Sequence, residues 1–551
     1  MPKPSPQGAH GVPRRASLSA HAPLSSLGRA SSPWTSAAVG ALFFCVYLAL
    51  SPPVSGDKDA SEFTLVLATN GVAHPTGYPL FTLLGHGFVR IAHGLGAPWP
   101  LAANAWSALG GGVAMALFHA LGARLCLFTA DSAPILWTIA PALLFGLNPM
   151  WTQETTLAEV YSWHVAWSLG ACLFFTGVAR RLASHPAQAK DEGLLGRASA
   201  WGVLCGAGAA HHLTAVFVVA PLSIGLVIAL VRARRWRWSL AIAALASSLV
   251  PVSSYGIIAW RAFHPAAIQW PVLVPTWSGV VRHITGAQYG GLLGHYAPSP
   301  VQRIYLARYV YPYVGLALAA LLALAWRARG PGAGLIARTL GVAALLSTAY
   351  AFGYGAIDPS SYFLAGMAVG ICALGPLGAG LLAGGHAGRT ARALVSLALA
   401  VAVAVQLVPW MRIGVARRQV YVQFERLIHR MWTSIPFTSG FVVWGDDMYL
   451  RLREYQLLNG EKPSLNVVNP FLLAHPHPRQ RFFDEHGFDP QAGIADQVAP
   501  LVRACEAFTP ARDSLVLVTR NLILQNINRQ TPLPVVEFLP ESVSVRLLRK
   551  P

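Results

Sequence analysis

Asp57, Asp59 and Glu62 stand close together in the stretch Gly56 to Phe81, and His74-Pro75-Thr76-Gly77-Tyr78-Pro79 follows them. Carboxylates beside an imidazole are groups that move protons, so the stretch is a candidate for acid–base chemistry. Asp59 and Glu62 are three positions apart and share one face of a helical turn. From that face Asp59 could take the proton of an attacking hydroxyl while Glu62 tunes it or holds the acceptor, and Asp57 could stand in for Asp59. The opposing reading is a cap on a short amphipathic helix, a position that favours Asp, or a solvated loop. Two prolines and a glycine in residues 74–79 make a fixed turn. Such a turn would hold His74, with Tyr78, near the lipid headgroups and within reach of a phosphate, unless the turn is purely structural.

Other polar residues are candidates to bind a donor or an acceptor. Glu159, Tyr161 and His164 lie at the start of an apolar run, where a glutamate could equally be an N-terminal helix charge favoured by the dipole. His211 and His212 sit at a tight junction between two apolar runs. Adjacent histidines point in different directions and rarely serve one ion without a third ligand, so phosphate or sugar contact is preferred to metal. Arg282, with His283 and Tyr289, could meet an anionic headgroup, or Arg282 could simply snorkel. Asp358 heads Asp358-Pro359-Ser360-Ser361-Tyr362 before another apolar run.

These residues must be positioned by membrane helices. The chain has 551 residues, 54% hydrophobic and 11% charged, with a mean hydropathy of +0.47. A soluble protein carries about 25% charged residues. Runs long enough to be helical spans lie near 34–51, 101–123, 133–149, 161–179, 198–210, 213–231, 239–260, 307–327, 334–354, 361–384 and 393–410, which predicts about 11 spans. Residues 80–95 read as a shorter interfacial helix. The net charge of +19 comes in short arginine clusters between apolar runs, which is the pattern that sets topology and argues against a nucleic-acid partner.

With the basic tail, residues 1–33, on the cytoplasmic side, alternation puts Arg124, Arg180, Arg181, Lys190 and Arg197, Arg232 to Arg237, Arg327 to Arg338, and Arg389 and Arg392 on that same side. The candidate site residues then share the outer face, and polar groups at helix mouths imply a cavity rather than lipid contact. The tail reads as disordered, and a cleaved signal peptide is the rival to a first span. Cys45, Cys126, Cys172, Cys205 and Cys372 lie in or beside apolar runs and Cys505 in the polar part, so neither a disulfide framework nor a cysteine metal site is expected.

The expected domains are therefore a tail (1–33), a membrane domain (34–410) and a soluble domain (411–551). In the last, Phe441 to Trp444, Ser464 to Val468 and Ser514 to Thr519 read as short strands, with helices near 447–459 and 491–508. This makes a small α/β module, extracytoplasmic if the span count holds. The fold class is mainly α, a polytopic transmembrane bundle with a small C-terminal α/β domain.

The ordered set Asp59-Ala60-Ser61-Glu62-Phe63, Gly71 to Leu80 with His74-Pro75-Thr76-Gly77, Asn148-Pro149, Ala158-Glu159-Val160-Tyr161-Ser162 and His211-His212-Leu213-Thr214 resembles the protein O-mannosyltransferase-like family of GT-C polytopic membrane glycosyltransferases. The likeness covers about residues 34–365. The family's usual Asp-Ser-Gly-Glu and His-Pro-Pro-Gly are changed here, but both acids and the histidine are kept. The resemblance implies inverting transfer of a sugar from a polyprenyl-phosphate donor to a hydroxyl acceptor on protein or glycan at the outer membrane face, with the first-loop aspartate as base. For a bacterial chain that face is the periplasmic side of the inner membrane. No cofactor or metal is expected, because a lipid phosphate already leaves well. The rivals are a transporter or flippase for a lipid-linked saccharide and a non-catalytic membrane assembly protein.

Overall fold

The structure, a computed structural model, describes residues 32–548 except 58, 130–134, 185–192, 266–272, 357, 383–385 and 500–510. The tail up to residue 31, Lys190 and Cys505 lie outside the described residues. Helix α1 (Pro33–Leu50) begins where Ser32 Oγ accepts from Trp34 N, with Pro33 at the first helical position, where its missing N–H costs nothing. Helix α4 (Trp99–Cys126) packs against it closely enough that a Cβ built on Gly40 would stand 2.7 Å from Gly112 O. Small residues permit such backbone approach between membrane helices, where apolar burial drives little. The main core forms here, with Tyr47, Phe118, Phe145, Trp151 and Phe175 wholly buried. Tyr47 OH donates to Gly146 O at 2.9 Å and accepts from Trp151 Nε1 at 2.8 Å, so the polar atoms of these two side chains are paired.

Among the described residues eight helices are long and apolar enough to cross a membrane by length and composition, and the chain is an integral membrane protein. The eleven expected runs all contain helix. Three of them fall outside the eight: Ile135–Gly146 has 12 residues, while Tyr161–Ser184 and Leu194–His211 carry His164, Arg180, Arg181, Arg197 and His211. Helix α2 (Asp59–Thr69) and helix α3 (Pro79–Gly94) sit between α1 and α4 in sequence. Both are amphipathic connectors rather than spans.

A helix of 49 residues, His386–Ser434, runs through the expected boundary at residue 410. The C-terminal sheet follows in the order β2-β1-β3-β4, with β1 (Gly440–Val443), β2 (Leu465–Val468), β3 (Val535–Leu539) and β4 (Ser544–Leu548). β1 is parallel to β2 and β3, with Phe441 opposite Asn466 and Val535, and β3 is antiparallel to β4. Strand alternation sends Phe441 and Val443 to one face and Val442 and Trp444 to the other. The first face packs with Phe482, Ile523 and Ile527. The second shares one apolar cluster with Phe63, Leu67, Phe81 and Trp106, so the C-terminal sheet has half its core in α2, α3 and α4. The expected strand at Ser514–Thr519 is instead part of helix Ala511–Gln530. Short apolar runs do not separate strand from helix by periodicity, and the chain finds its remaining strands at β3 and β4.

Gly112→Leu should force α1 from α4, because its Cβ would already stand 2.9 Å from Gly40 O and 2.8 Å from Phe44 Cβ. Overpacking of this kind costs about 1–3 kcal/mol. The expected result is a lowered unfolding temperature of the purified protein in detergent, and an unchanged one would mean that the two helices do not meet there.

Candidate functional site

The first loop, residues 51–57, is held by side chains from far along the chain. Asn104 Nδ2 in α4 donates to Pro52 O at 2.9 Å and Val54 O at 3.1 Å. Arg418 Nε donates to Ser51 O at 3.2 Å. Tyr421 OH donates to Asp57 Oδ1 at 2.9 Å, so the Asp57 carboxylate is engaged. Asp59 stands exposed in the first turn of α2, where Glu62, on the same face, is buried.

Glu62 holds the turn that follows. Its Oε1 accepts from His74 N and its Oε2 lies 3.0 Å from His74 Nδ1. His74 Nε2 lies 3.0 Å from Tyr78 OH, which donates in turn to Pro75 O at 3.4 Å. Both ring nitrogens thus donate, the pattern of a protonated imidazole. Burial opposes that charge, but the carboxylates of Glu62 and Asp59 and the hydrogen bond to Glu62 push the His74 pKa up to about 9. The turn closes with Gly77 at φ +81° and Tyr78 at φ +43°. A Cβ on Gly77 would meet Ile258 Cδ1 at 2.3 Å, so glycine is needed there for space as well as for conformation.

Tyr161, His164 and His212 form one ring cluster with Tyr78. Its ring lies 5.5 Å from that of His212, which lies 5.0 Å from His164 and 5.7 Å from Tyr161. Tyr362 closes on Tyr161 at 5.6 Å and on His212 at 6.2 Å. His211 Nε2 lies 3.2 Å from Val160 O, a structural bond at the base of this group. His212 Nδ1 accepts from Thr214 N at 3.3 Å, which assigns the proton to Nε2. That Nε2 is buried without a hydrogen-bond partner, as are His164 Nδ1 and Glu154 Oε2. An unpaired buried polar atom costs about 1–3 kcal/mol, which makes these atoms candidates for hydrogen bonds from a ligand.

Glu159 has its backbone pinned by Ser107, whose Oγ accepts from Glu159 N at 2.9 Å. Burial raises its carboxyl pKa, and the nearby carboxylates of Glu154, Asp59, Asp57 and Glu62 raise it further. Glu154, which lies on the short helix Pro149–Thr156, is pushed up to about 8 by burial and then by Asp358, with Ser361 and Arg417 opposing. Ser361 Oγ donates to Glu154 Oε1 at 3.0 Å. Asp358 itself caps the turn after it, accepting from Ser360 N at 3.1 Å. Arg282 is exposed, while its neighbour His283 is buried, with Nε2 3.0 Å from Ala73 O.

Two residues of this group escaped the sequence reading. Glu154 lies five positions before Glu159, and a carboxylate between two apolar runs was the available signal. Arg417, which reaches Thr152 O at 3.3 Å and Thr156 Oγ1 at 2.6 Å, carried no signal, because its neighbourhood reads as the start of a soluble domain. Ligand atoms of Asp59, Glu62 and His74 lie within 4.8 Å of one another, the one group among the described residues able to hold a metal ion. Both His74 ring nitrogens already face hydrogen-bond partners, Glu62 Oε2 and Tyr78 OH, so a cation bound through His74 would displace one of these contacts. The set as it stands suits a proton better than a metal.

In a search of solved structures the chain is similar to the oligosaccharyltransferase of Archaeoglobus fulgidus in its apo form, at 13% identity and a TM-score of 0.46 over 80% of this chain. The chain spans 65% of the length of that protein. It is also similar to ArnT from Cupriavidus metallidurans bound to undecaprenyl phosphate, at 14% identity and a TM-score of 0.49, covering 81% of this chain and 89% of the other. Identity and score are low in both, and no chemistry is carried over from them. Curated proteins yield no match. The segment that builds much of the site, residues 59–237, matches the family described as the protein O-mannosyl-transferase TMEM260 N-terminal domain.

Proposed function

We propose that this chain is a membrane glycosyltransferase that moves a sugar, mannose in the first instance, from a polyprenyl-phosphate donor to a hydroxyl on a protein or glycan acceptor. The observation that carries the reading is Asp59, an exposed carboxylate beside a buried Glu62–His74 pair, in the segment matched to the O-mannosyltransferase family. Asp59 is the general base: it takes the proton of the acceptor hydroxyl as that oxygen attacks the anomeric carbon. The bond from that carbon to the phosphate oxygen breaks, and the lipid phosphate leaves with the electron pair. Attack opposite the leaving group inverts the anomeric centre.

Glu62 and His74 act behind Asp59. The Glu62–His74 pair fixes the turn that faces the base. His74 was expected to meet the donor phosphate; its engagement by Glu62 and Tyr78 argues for support of the base instead. The partnerless Nε2–H of His212 is the better placed donor to a phosphate or sugar oxygen, and His164, Tyr78 and Tyr161 wall the same space. The reading places the site on the periplasmic face of a bacterial inner membrane. Because the C-terminal sheet shares a core with α2 and α3, it lies on that face too, and protease added to intact spheroplasts should cleave within it; cleavage only after lysis would reverse the orientation.

Asp59→Asn should lower transfer about 10²–10⁴-fold, the usual worth of a positioned base, and leave donor binding nearly intact. Asp57→Asn, whose native carboxylate is occupied by Tyr421, should matter much less. The assay is transfer from polyprenyl-phosphate mannose to acceptor peptides in detergent, and equal activity of Asp59→Asn and the native chain would end the base assignment.

The charge on His74 is a pH-dependent contribution. Its folded pKa of about 9 lies above the ordinary value of about 6.5. The stabilisation is therefore complete below about pH 6.5 and lost as pH rises through about 9. The rate should fall on an alkaline limb near pH 9, and Glu62→Gln, which removes the carboxylate that holds the charge, should move that limb to lower pH. A limb that stays in place would separate His74 from it.

A further inference from the structure

Arg451 lies in the C-terminal domain, on helix Leu450–Asn459, and its side chain is 0% exposed. Its NH2 donates to Gly56 O at 2.7 Å and also to Ser55 O. Its NH1 pairs with Glu425 on the long helix, and its guanidinium lies 5.5 Å over the Phe424 ring. Three positions on, the buried Glu454 accepts from Ser55 Oγ at 2.8 Å. Tyr455 OH donates to Glu425 Oε1 at 2.6 Å and fixes the carboxylate that fixes Arg451. The residues so gripped, Ser55 and Gly56, stand directly before Asp57, and Gly56 is three positions before Asp59.

Burying a charge is a poor way to gain stability, because desolvation offsets most of the Coulomb gain. The C-terminal domain has an apolar route to docking, through Val442, Trp444 and Phe538 against Phe63 and Phe81. A buried arginine that spends its donors on two consecutive loop carbonyls instead sets where that loop lies. A planar guanidinium with a fixed fork of donors can do this, and the point charge of a lysine cannot.

We propose that helix Leu450–Asn459 is a positioning element for the first loop, with Arg451 as its main residue and Glu454 as its second, so that the C-terminal domain sets the place of Asp59. This rests on the proposed role of Asp59 for its catalytic consequence, but not for its structural one. Arg451 and Glu454 touch no reacting atom, and their effect passes through Ser55 and Gly56. Misplacing a catalytic group by about 1 Å costs up to about 10²-fold in rate. The loss should fall on kcat with little change in the KM for donor, since the donor contacts lie elsewhere.

The test uses the full chain in lipid nanodiscs with Arg451→Met, Arg451→Lys and Glu454→Gln. Amide hydrogen exchange is followed at residues 54–63 and, as a control, in the helices of the main core. Arg451→Met should speed exchange at 54–63 at least about tenfold, leave the core helices unchanged and lower kcat by about 10²-fold. Arg451→Lys should fall between it and the native chain, and Glu454→Gln should give a smaller effect in the same direction. If Arg451→Met does not fold, the other two variants carry the test. Unchanged exchange at 54–63 in a folded variant, or an equal rise in exchange everywhere, would overturn the proposal. Should Asp59→Asn keep full transfer, the role of Asp59 falls while the exchange result still decides whether the loop is held.

Discussion

A loop that leaves a membrane helix and turns back to present acidic residues must find hydrogen-bond donors for its own carbonyls. No backbone ladder supplies them here. The carbonyls of Ser51, Pro52, Val54, Ser55 and Gly56 are met one by one by side chains of Arg418, Asn104 and Arg451. Left unpaired and buried, each would cost about 1–3 kcal/mol. The donors come from α4, the long helix His386–Ser434 and the C-terminal domain, so the place of Asp57 and Asp59 depends on all three at once. The membrane half and the C-terminal half are therefore one unit around this loop, an arrangement that the shared apolar cluster of α2, α3 and the sheet completes.

The second constraint is electrostatic. Burial first, and then the charges of neighbouring carboxylates, push Glu159 and Glu154 toward their protonated forms. Like charges so crowded cannot all ionise. His74 answers the pair nearest to it, and Arg417 answers Glu154. His212 Nε2, His164 Nδ1 and Glu154 Oε2 are buried without partners.

Much of this architecture is legible in local pattern. Length and apolarity of the runs locate the helices, because a span needs about 20 apolar residues wherever it lies. The pairing of Asp59 with Glu62 follows from helical spacing, and the turn at His74 follows from Pro75, Gly77 and Pro79, all of them local properties. The ordered motifs also place residues 59–237 in their family. Local pattern fails where competition is tertiary. Ser514–Thr519 is as apolar as a strand and becomes helix, and the long helix ignores the change in composition at residue 410.

The amino-acid order thus carries the inventory: the membrane helices, the acid-rich first loop, the turn that holds His74 and the family of the segment that contains them. Which groups are engaged and which remain available emerges only when the chain is folded. Asp57 is bound by Tyr421 and Asp59 is exposed, although the two are chemically alike and two residues apart. Arg417 reaches the helix that carries Glu154 across more than two hundred and fifty positions of chain, through Thr152 and Thr156, and Arg451 grips a loop nearly four hundred residues earlier. The physical reason is that hydrogen bonds and charge pairs act over a few ångströms in space, and spacing along the chain carries that information only within one helical turn or one tight turn.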